Sequence, residues 1–368
     1  MPRVLIVSYG LLPGGSELHA KKLISLINGD FSWLSLVNHS TPPLSFNGLE
    51  NKVEVLPGIG LEKVASLLFF GAIFRLFKLC REKKIEFIYA IGFVPSLLAS
   101  CIRIFNSKVT LISTRRELMP WKRFYHLPAI YFSSWASDRL ETNSSFILKE
   151  LEKGRLTRGK GYYLPNIVQD HVYNPKQPYS LPEELFSRKY VVGTVANLRE
   201  PKNPVLLRDT LVSLLRERED VNVLVAGIDR SGLIRTAIDE ERLEGRLFLL
   251  EDIDYSVIGH AYKSLDVFII TSKFEGSPNT VLEAMANGLP IVATRITATE
   301  EIINDKHDGL LVTEHESTAL SSVISKLLDD EPHRKALVLA AREKFAREFG
   351  QDTAVERLRN IFKNKPST

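Results

Sequence analysis

Along the chain, short β-branched or apolar runs alternate with longer stretches of helical period, a rhythm that admits little besides parallel sheets assembled from βαβ units. In the first half the strand pattern falls at Val4–Ser8, Ile85–Ile91 and Val109–Ser113, with weaker segments at Arg139–Thr142 and Tyr162–Leu164. Helical patterns fill the intervals, at about Ser16–Asn28, Leu61–Lys83 and Val94–Phe105. The second half repeats the rhythm with strands at Tyr190–Ala196, Val221–Ala226, Arg246–Leu250, Val267–Thr271, Ile291–Thr294 and Gly309–Val312, enough for a second sheet. The fold class is α/β. Because 368 residues exceed the roughly 250–300 at which one core stops growing, two domains are expected. The stretch Pro165 to Lys189 carries Pro165, Pro175, Pro178 and Pro182 without an apolar period, and is expected to be the linker between them. The expected domains are 1–170 and 171–350. Helical patterns at Ser317–Asp329 and Pro332–Phe349 close the second, and a last one runs over Asp352–Phe362.

Composition narrows the class of function. Cys80 and Cys101 are the two cysteines. They make neither a disulfide framework nor a metal motif, which fits a reducing compartment such as the cytoplasm. The start, Met1 to Ser8, runs straight into an apolar strand and lacks the parts of a signal peptide. The most apolar stretch, Val64 to Cys80, falls short of the roughly 20 residues of a spanning helix and holds Arg75 and Lys78. A net charge of +4 with no reading motif argues against nucleic acid as a partner.

Chemistry concentrates between Thr271 and Pro290. A strand ends at Thr271, a loop carries Glu275 and Gly276, and a helix is expected to open with Ser277 as N-cap and Pro278 at its first position. Unpaired N–H groups at that end, framed by Ser277, Pro278, Asn279 and Thr280, make an anion site suited to a diphosphate. Gly276 lets the chain approach a ligand closely. Glu283 lies about one and a half turns into the helix and Glu275 ahead of it, so the two carboxylates face different parts of one extended ligand. One would take ribose hydroxyls and the other sugar hydroxyls. Alone, the same residues also describe a capped amphipathic helix with Val281, Leu282 and Met285 inward.

From Asp266 through Pro290 the sequence resembles the E-x7-E region of the retaining glycosyltransferases of family 4. The resemblance implies that Glu275 lies at the transferred sugar and Glu283 at the nucleotide ribose. A second match, Val192 to Pro204, runs from a strand into a loop with Asn197, Leu198, Arg199, Lys202 and Asn203. Two cations there would neutralise a leaving diphosphate, the electrostatic role a metal fills in other transferases. The same residues would also suit a solvated turn. The family's usual form is close to Gly-Arg-Leu-x-x-x-Lys-Gly. Asn197 stands where the arginine commonly stands, Arg199 follows, and Lys202 keeps its place. Arg199 and Lys202 are assigned to the phosphates and, with Glu275, to catalysis; Asn197 is assigned to the donor.

The turn Gly14-Gly15-Ser16-Glu17 looks like the family's Gly-Gly-x-Glu, and is expected to cover the donor phosphates or line the acceptor cleft. Thr297, Ala298 and Ile167 replace glycines usual in the family. Many relatives carry a histidine at the end of a middle strand of the first domain. Here that strand runs into Ser113 to Glu117, and Arg115, Arg116 or Glu117 is expected to face the acceptor. His126 lies too far along the chain to substitute, and His19 reads equally as a surface or a site residue.

The resemblance covers nearly the whole chain and implies a GT-B fold, two Rossmann-like domains with parallel sheets facing across a cleft. The helix within 351–368 would pack back on the first domain. The implied activity is transfer of a hexose or N-acetylhexosamine from a nucleotide diphosphate sugar, UDP favoured, to a glycan or lipid-linked acceptor such as a lipopolysaccharide or exopolysaccharide precursor. The second domain would hold the donor and the first the acceptor. No cofactor and no metal are expected. Rival readings are a nucleotide-sugar 2-epimerase of the same architecture and a non-catalytic transferase-like binding subunit. Arg103, Lys108, Arg115, Arg116, Lys122 and Arg123, near Met119, Trp121, Phe124 and Tyr125, suggest peripheral contact with an anionic membrane at the inner face of the cell membrane. The segment Leu67–Lys84 would lie beside them.

Overall fold

The structure, a computed structural model, describes residues 1–11, 15–37, 46, 49–56, 58, 68–116, 127–313 and 316–363. The chain forms two units, Met1–Ile167 with Gln351–Thr368, and Val168–Gly350.

The first unit is built on seven parallel strands, β1 (Arg3–Ser8), β2 (Asp30–Ser35), β3 (Val53–Leu56), β4 (Phe87–Ala90), β5 (Thr110–Thr114), β6 (Arg139–Thr142) and β7 (Gly161–Tyr163). Their order is β3-β2-β1-β4-β5-β6-β7. Side chains alternate across a strand, so β1 feeds two cores. Val4 and Ile6 pack with Leu23 and Ile24 of the helix Gly15–Leu26 and with Leu358 of Gln351–Ile361. Leu5 and Val7 pack with Leu76 of the helix Leu68–Glu82 and Leu98 of Phe93–Phe105. The strand pattern along the chain did not mark β2 or β3; in β2 polar residues interrupt the apolar run, with Ser32 and Ser35 buried and Trp33 Nε1 donating to Ser8 Oγ at 2.8 Å.

The second unit has six parallel strands, β8 (Tyr190–Val195), β9 (Val221–Ala226), β10 (Leu247–Leu250), β11 (Val267–Ile270), β12 (Ile291–Thr294) and β13 (Leu310–Val312), in the order β10-β9-β8-β11-β12-β13. Val267 and Ile269 enter one core, Phe268 and Ile270 the other. Most of the proline-bearing stretch expected as a linker belongs to this unit. Val168, Val172 and Leu185 are buried in its core, and Asn222 Nδ2 donates to the carbonyls of Glu184 and Leu185 at 3.0 and 2.9 Å. Three apolar anchors spread over so many residues give no readable period.

In a doubly wound sheet, ligands bind beyond the carboxyl ends of the strands where the strand order reverses. The orders above put those points between β1 and β4 in the first unit and between β8 and β11 in the second.

Candidate active site

The loops that follow β8 and β11 meet at the second unit's reversal point. Beyond β8 the chain passes Asn197, Leu198 and Arg199 into a short 3-10 turn, Glu200–Lys202. Asn203 then adopts φ 51° and ψ 61°, a left-handed conformation that asparagine tolerates, and the helix Pro204–Glu217 begins. The β11 loop is tied to this turn: Thr271 Oγ1 donates to the Lys202 carbonyl at 3.0 Å and Lys273 N to the Pro201 carbonyl at 2.8 Å. Lys202 Nζ thereby meets Glu275 Oε1 in an ion pair, and Ser272 Oγ donates to the same oxygen at 2.7 Å. Lys202 and Glu275 keep 17% and 14% of their side-chain exposure, a pair that is sheltered but open to a ligand.

The helix Asn279–Asn287 starts one residue later than expected. Pro278, at φ −73° and ψ 103°, is extended and is itself the N-cap, so Ser277 stands one position before it. Pro278 has no side-chain acceptor to offer the first turn, and Val281 N donates to the Pro278 carbonyl at 3.1 Å. Asn279 Oδ1 is buried without a hydrogen-bond partner among the described residues. Glu283, farther along the helix, is buried. Tyr255 donates to its Oε1 at 2.8 Å and Tyr262 to its Oε2 at 2.6 Å. Burial pushes the Glu283 carboxyl above its usual range, opposed by the two tyrosine bonds and by the charge of Lys202. Lys202 thus acts on both glutamates.

The other assigned residues divide. Arg199 is exposed at the rim. Asn197 Oδ1 accepts from Ile228 N at 3.0 Å, which binds the β8 loop to the β9 loop. Gly276, Ser277 and Thr280 are half-buried beside Glu275 and the helix start. Gly15 opens the first helix, while Gly14 and Glu117 lie outside the described residues. Asp252 and Asp254 follow β10; Asp254 Oδ1 accepts from Ser256 N at 2.7 Å and shapes the turn that presents Tyr255. Tyr255, Tyr262 and Ser272 were not singled out from the sequence. The tyrosines precede Glu283 by more than a helix length, and spacing alone carries no sign of the contact.

In the first unit Arg115 is committed internally: Nη1 donates to the Thr114 carbonyl at 3.1 Å and Nη2 to Ser133 Oγ at 2.7 Å. Burial pushes it down to about 10. Burial also opposes the charge on Arg116, but Glu141 outweighs it, with Nη2 3.0 Å from Oε1 and 3.4 Å from the Tyr89 hydroxyl. His19 is buried, and neither ring nitrogen has a hydrogen-bond partner among the described residues. Burial, then the Arg116 charge, holds its pKa well below the usual value, so it is neutral. Arg103 pairs with Asp138 at 2.7 Å. Three of the cations expected at a membrane are therefore turned inward, and Lys122 and Arg123 lie outside the described residues with Met119, Trp121, Phe124, Tyr125 and His126. No helix among the described residues is long and apolar enough to cross a membrane.

Two doubly wound parallel sheets, the second carrying this acid–base cluster at its reversal point, define the GT-B glycosyltransferase fold. Residues 179–344 match the family model of glycosyl transferases group 1. The chain is 28% identical over 227 residues to the lipopolysaccharide core biosynthesis mannosyltransferase LpsB of Rhizobium meliloti, covering 56% of this chain and 64% of that protein. It is 31% identical over 139 residues to the amylovoran biosynthesis glycosyltransferase AmsK of Erwinia amylovora, covering 36% of this chain and 34% of that protein. The matches span less than two thirds of these relatives' own lengths. Among solved structures, Anabaena HepE in complex with UDP superposes with a TM-score of 0.76 at 18% identity, over 98% of this chain and 99% of that one. A putative UDP-N-acetylglucosamine 2-epimerase from Listeria monocytogenes gives 0.69 at 14%, over 99% and 97%.

Proposed function

We propose that the chain is a retaining hexosyltransferase that carries a hexosyl or N-acetylhexosaminyl group from a UDP-sugar to a glycan acceptor, with the donor on the second unit and the acceptor on the first. The observation that carries this reading is the Lys202–Glu275 ion pair at the β8/β11 reversal point, beside the N-terminus of the helix Asn279–Asn287. A cation, a carboxylate and a helix N-terminus in one loop pair suit a substrate that is a diphosphate at one end and a sugar at the other. Lys202, the helix start and Arg199 would take the diphosphate, Glu283 the ribose, and Glu275 the sugar beside its anomeric carbon. The bond from that carbon to the diphosphate oxygen breaks as the bond to the acceptor oxygen forms on the same face. The acceptor's proton passes to the departing phosphate oxygen. Protein cations supply the positive charge, so a metal ion is not required.

The UDP complex of HepE supports the choice of nucleotide. The names of LpsB and AmsK support a polysaccharide or lipopolysaccharide precursor as acceptor. If that acceptor is lipid-linked, contact with an anionic membrane would deliver it. Exposed Phe74, Arg75 and Lys78 on the helix Leu68–Glu82 are consistent with such contact. The test is a panel of nucleotide sugars, scored for released nucleotide with and without glycan acceptors, with product anomers read by proton NMR. Retention and acceptor-dependent release are expected, and both should survive EDTA. An inverted product would sink the reading, and a sugar epimerised from donor alone would favour the 2-epimerase.

A further inference from the structure

Glu283 is a carboxylate with almost no access to water, and a buried charge without partners costs several kcal/mol (order of magnitude). Two phenols meet it, one on each oxygen. Tyr262 comes from the helix Gly259–Lys263 and Tyr255 from the adjoining turn Tyr255–Val257, so the carboxylate is held from two anchors. Each anchor is itself packed. The Tyr255 ring stands edge-on to His171 with centroids 5.0 Å apart, and the Tyr262 ring lies against Phe268 at 5.8 Å. Burial followed by the Glu283 charge raises both phenols above their usual range, so they remain donors at any working pH. A carboxylate offers about four lone-pair sites. Two are used here.

We propose that Tyr255 and Tyr262 are positioning residues for the donor: by binding one oxygen each, they lock the plane of the Glu283 carboxylate and turn its remaining lone pairs toward the ribose hydroxyls. This rests on the reading of Glu283 as the ribose ligand. The bonds also favour the ionised form of Glu283 over the neutral form, against its burial. Among the charged groups around it, Lys202 acts in the same direction. His171 faces the Tyr255 ring rather than the carboxylate, His260 Nε2 is bonded to the Gln177 carbonyl at 2.9 Å, and Lys344 is spent on Asp308 at 3.2 Å.

The experiment is calorimetry of UDP binding to the full chain from about pH 5.5 to about pH 8, comparing the parent with Tyr255→Phe, Tyr262→Phe, Glu283→Gln and the double variant Tyr255→Phe/Glu283→Gln. Taking the ratio to the parent at each pH cancels the titration of UDP itself. Removing a donor raises the Glu283 pKa further, so each Phe variant should lose about tenfold in affinity at the acid end and recover toward pH 8. Glu283→Gln should be weak at every pH, and the double variant no weaker. A Tyr255→Phe penalty that is absent, or constant with pH and additive with Glu283→Gln, overturns the positioning role while leaving Glu283 on the ribose. Full-strength UDP binding by Glu283→Gln overturns the ribose reading and this proposal with it. Tyr255, being half-buried, is the variant expected to fold unaided.

Discussion

Glu275 and Glu283 stand at the head of the same helix, yet their surroundings give them opposite characters. Glu275 retains some exposure and is paired with a cation; Glu283 is buried and paired only with neutral donors. Removing the cation should therefore cost chemistry more than fold. Lys202→Ala is expected to lower kcat/KM by about 10²–10³, the scale for losing one electrostatic donor at a reacting centre, with little change in melting temperature. Near-parental activity would remove Lys202 from the phosphates. Glu275→Gln should depress turnover while UDP binds at least as tightly, because neutralising the partner frees Lys202 for the diphosphate. Glu283 carries a different signature. Its folded pKa is raised by burial, so its contribution to stability is full below the unfolded value of about 4.3 and is lost as pH rises through the folded value. Glu283→Gln has no such loss. Its melting temperature relative to the parent should climb between about pH 4.5 and neutrality, even as nucleotide binding weakens. A constant difference across that window would mean Glu283 is not strained by its burial.

At the scale of elements, the last helix shows how one side chain secures a whole segment. Arg139, inside β6, donates to the carbonyls of Ile361 and Lys363, and its guanidinium lies 5.9 Å from the Phe87 ring and 5.6 Å from that of Tyr162. A cation at a helix C-terminus satisfies carbonyls that have no partner within the helix and also meets its dipole. Arg139→Gln is expected to destabilise the first unit by about 1–3 kcal/mol and to speed amide exchange in residues 351–363 first. Unchanged exchange there would show that Leu358, Ile361 and Phe362 hold the helix without it. None of this was legible beforehand, because Arg139 and Ile361 are far apart in sequence and no local pattern joins them. What was legible is what depends on local period: β6, β9 and β12 fall where alternation and apolar runs put them, as does the helix Ser317–Asp329. The misses have separate causes. β2 buries serines, the stretch after Pro165 spaces its anchors too widely, and Pro278 keeps an extended ψ where its fixed φ would equally have allowed a helical start. At the site, Lys202, Glu275 and Glu283 stand out in the sequence because they sit in dense motifs. Their partners Tyr255 and Tyr262 sit in unremarkable sequence, and only the fold brings them to Glu283.

For the molecule as a whole, the two units keep separate cores. The chain leaves the first unit after Ile167, completes the second by Gly350, and supplies Ala354, Leu358, Ile361 and Phe362 to the first unit's core. Phe362 stands edge-on to Phe87 with centroids 5.5 Å apart, so removing the segment uncovers β4 at the sheet's centre. A chain ending at Gly350 should therefore lose stability in the first unit only. Burying side chains of this size is worth about 1.5–3 kcal/mol each, which is enough to pull the first unit's unfolding well below the second's. In scanning calorimetry the shortened chain should show two transitions, the lower belonging to residues 1–167. A ligand raises only the transition of the unit that binds it, by an amount set by its concentration over its Kd. UDP should thus move the upper transition of the shortened chain and leave the lower one in place, and Glu283→Gln in the same background should abolish most of that shift. A UDP-dependent rise in the lower transition would place the nucleotide on the first unit and reverse the assignment of donor and acceptor.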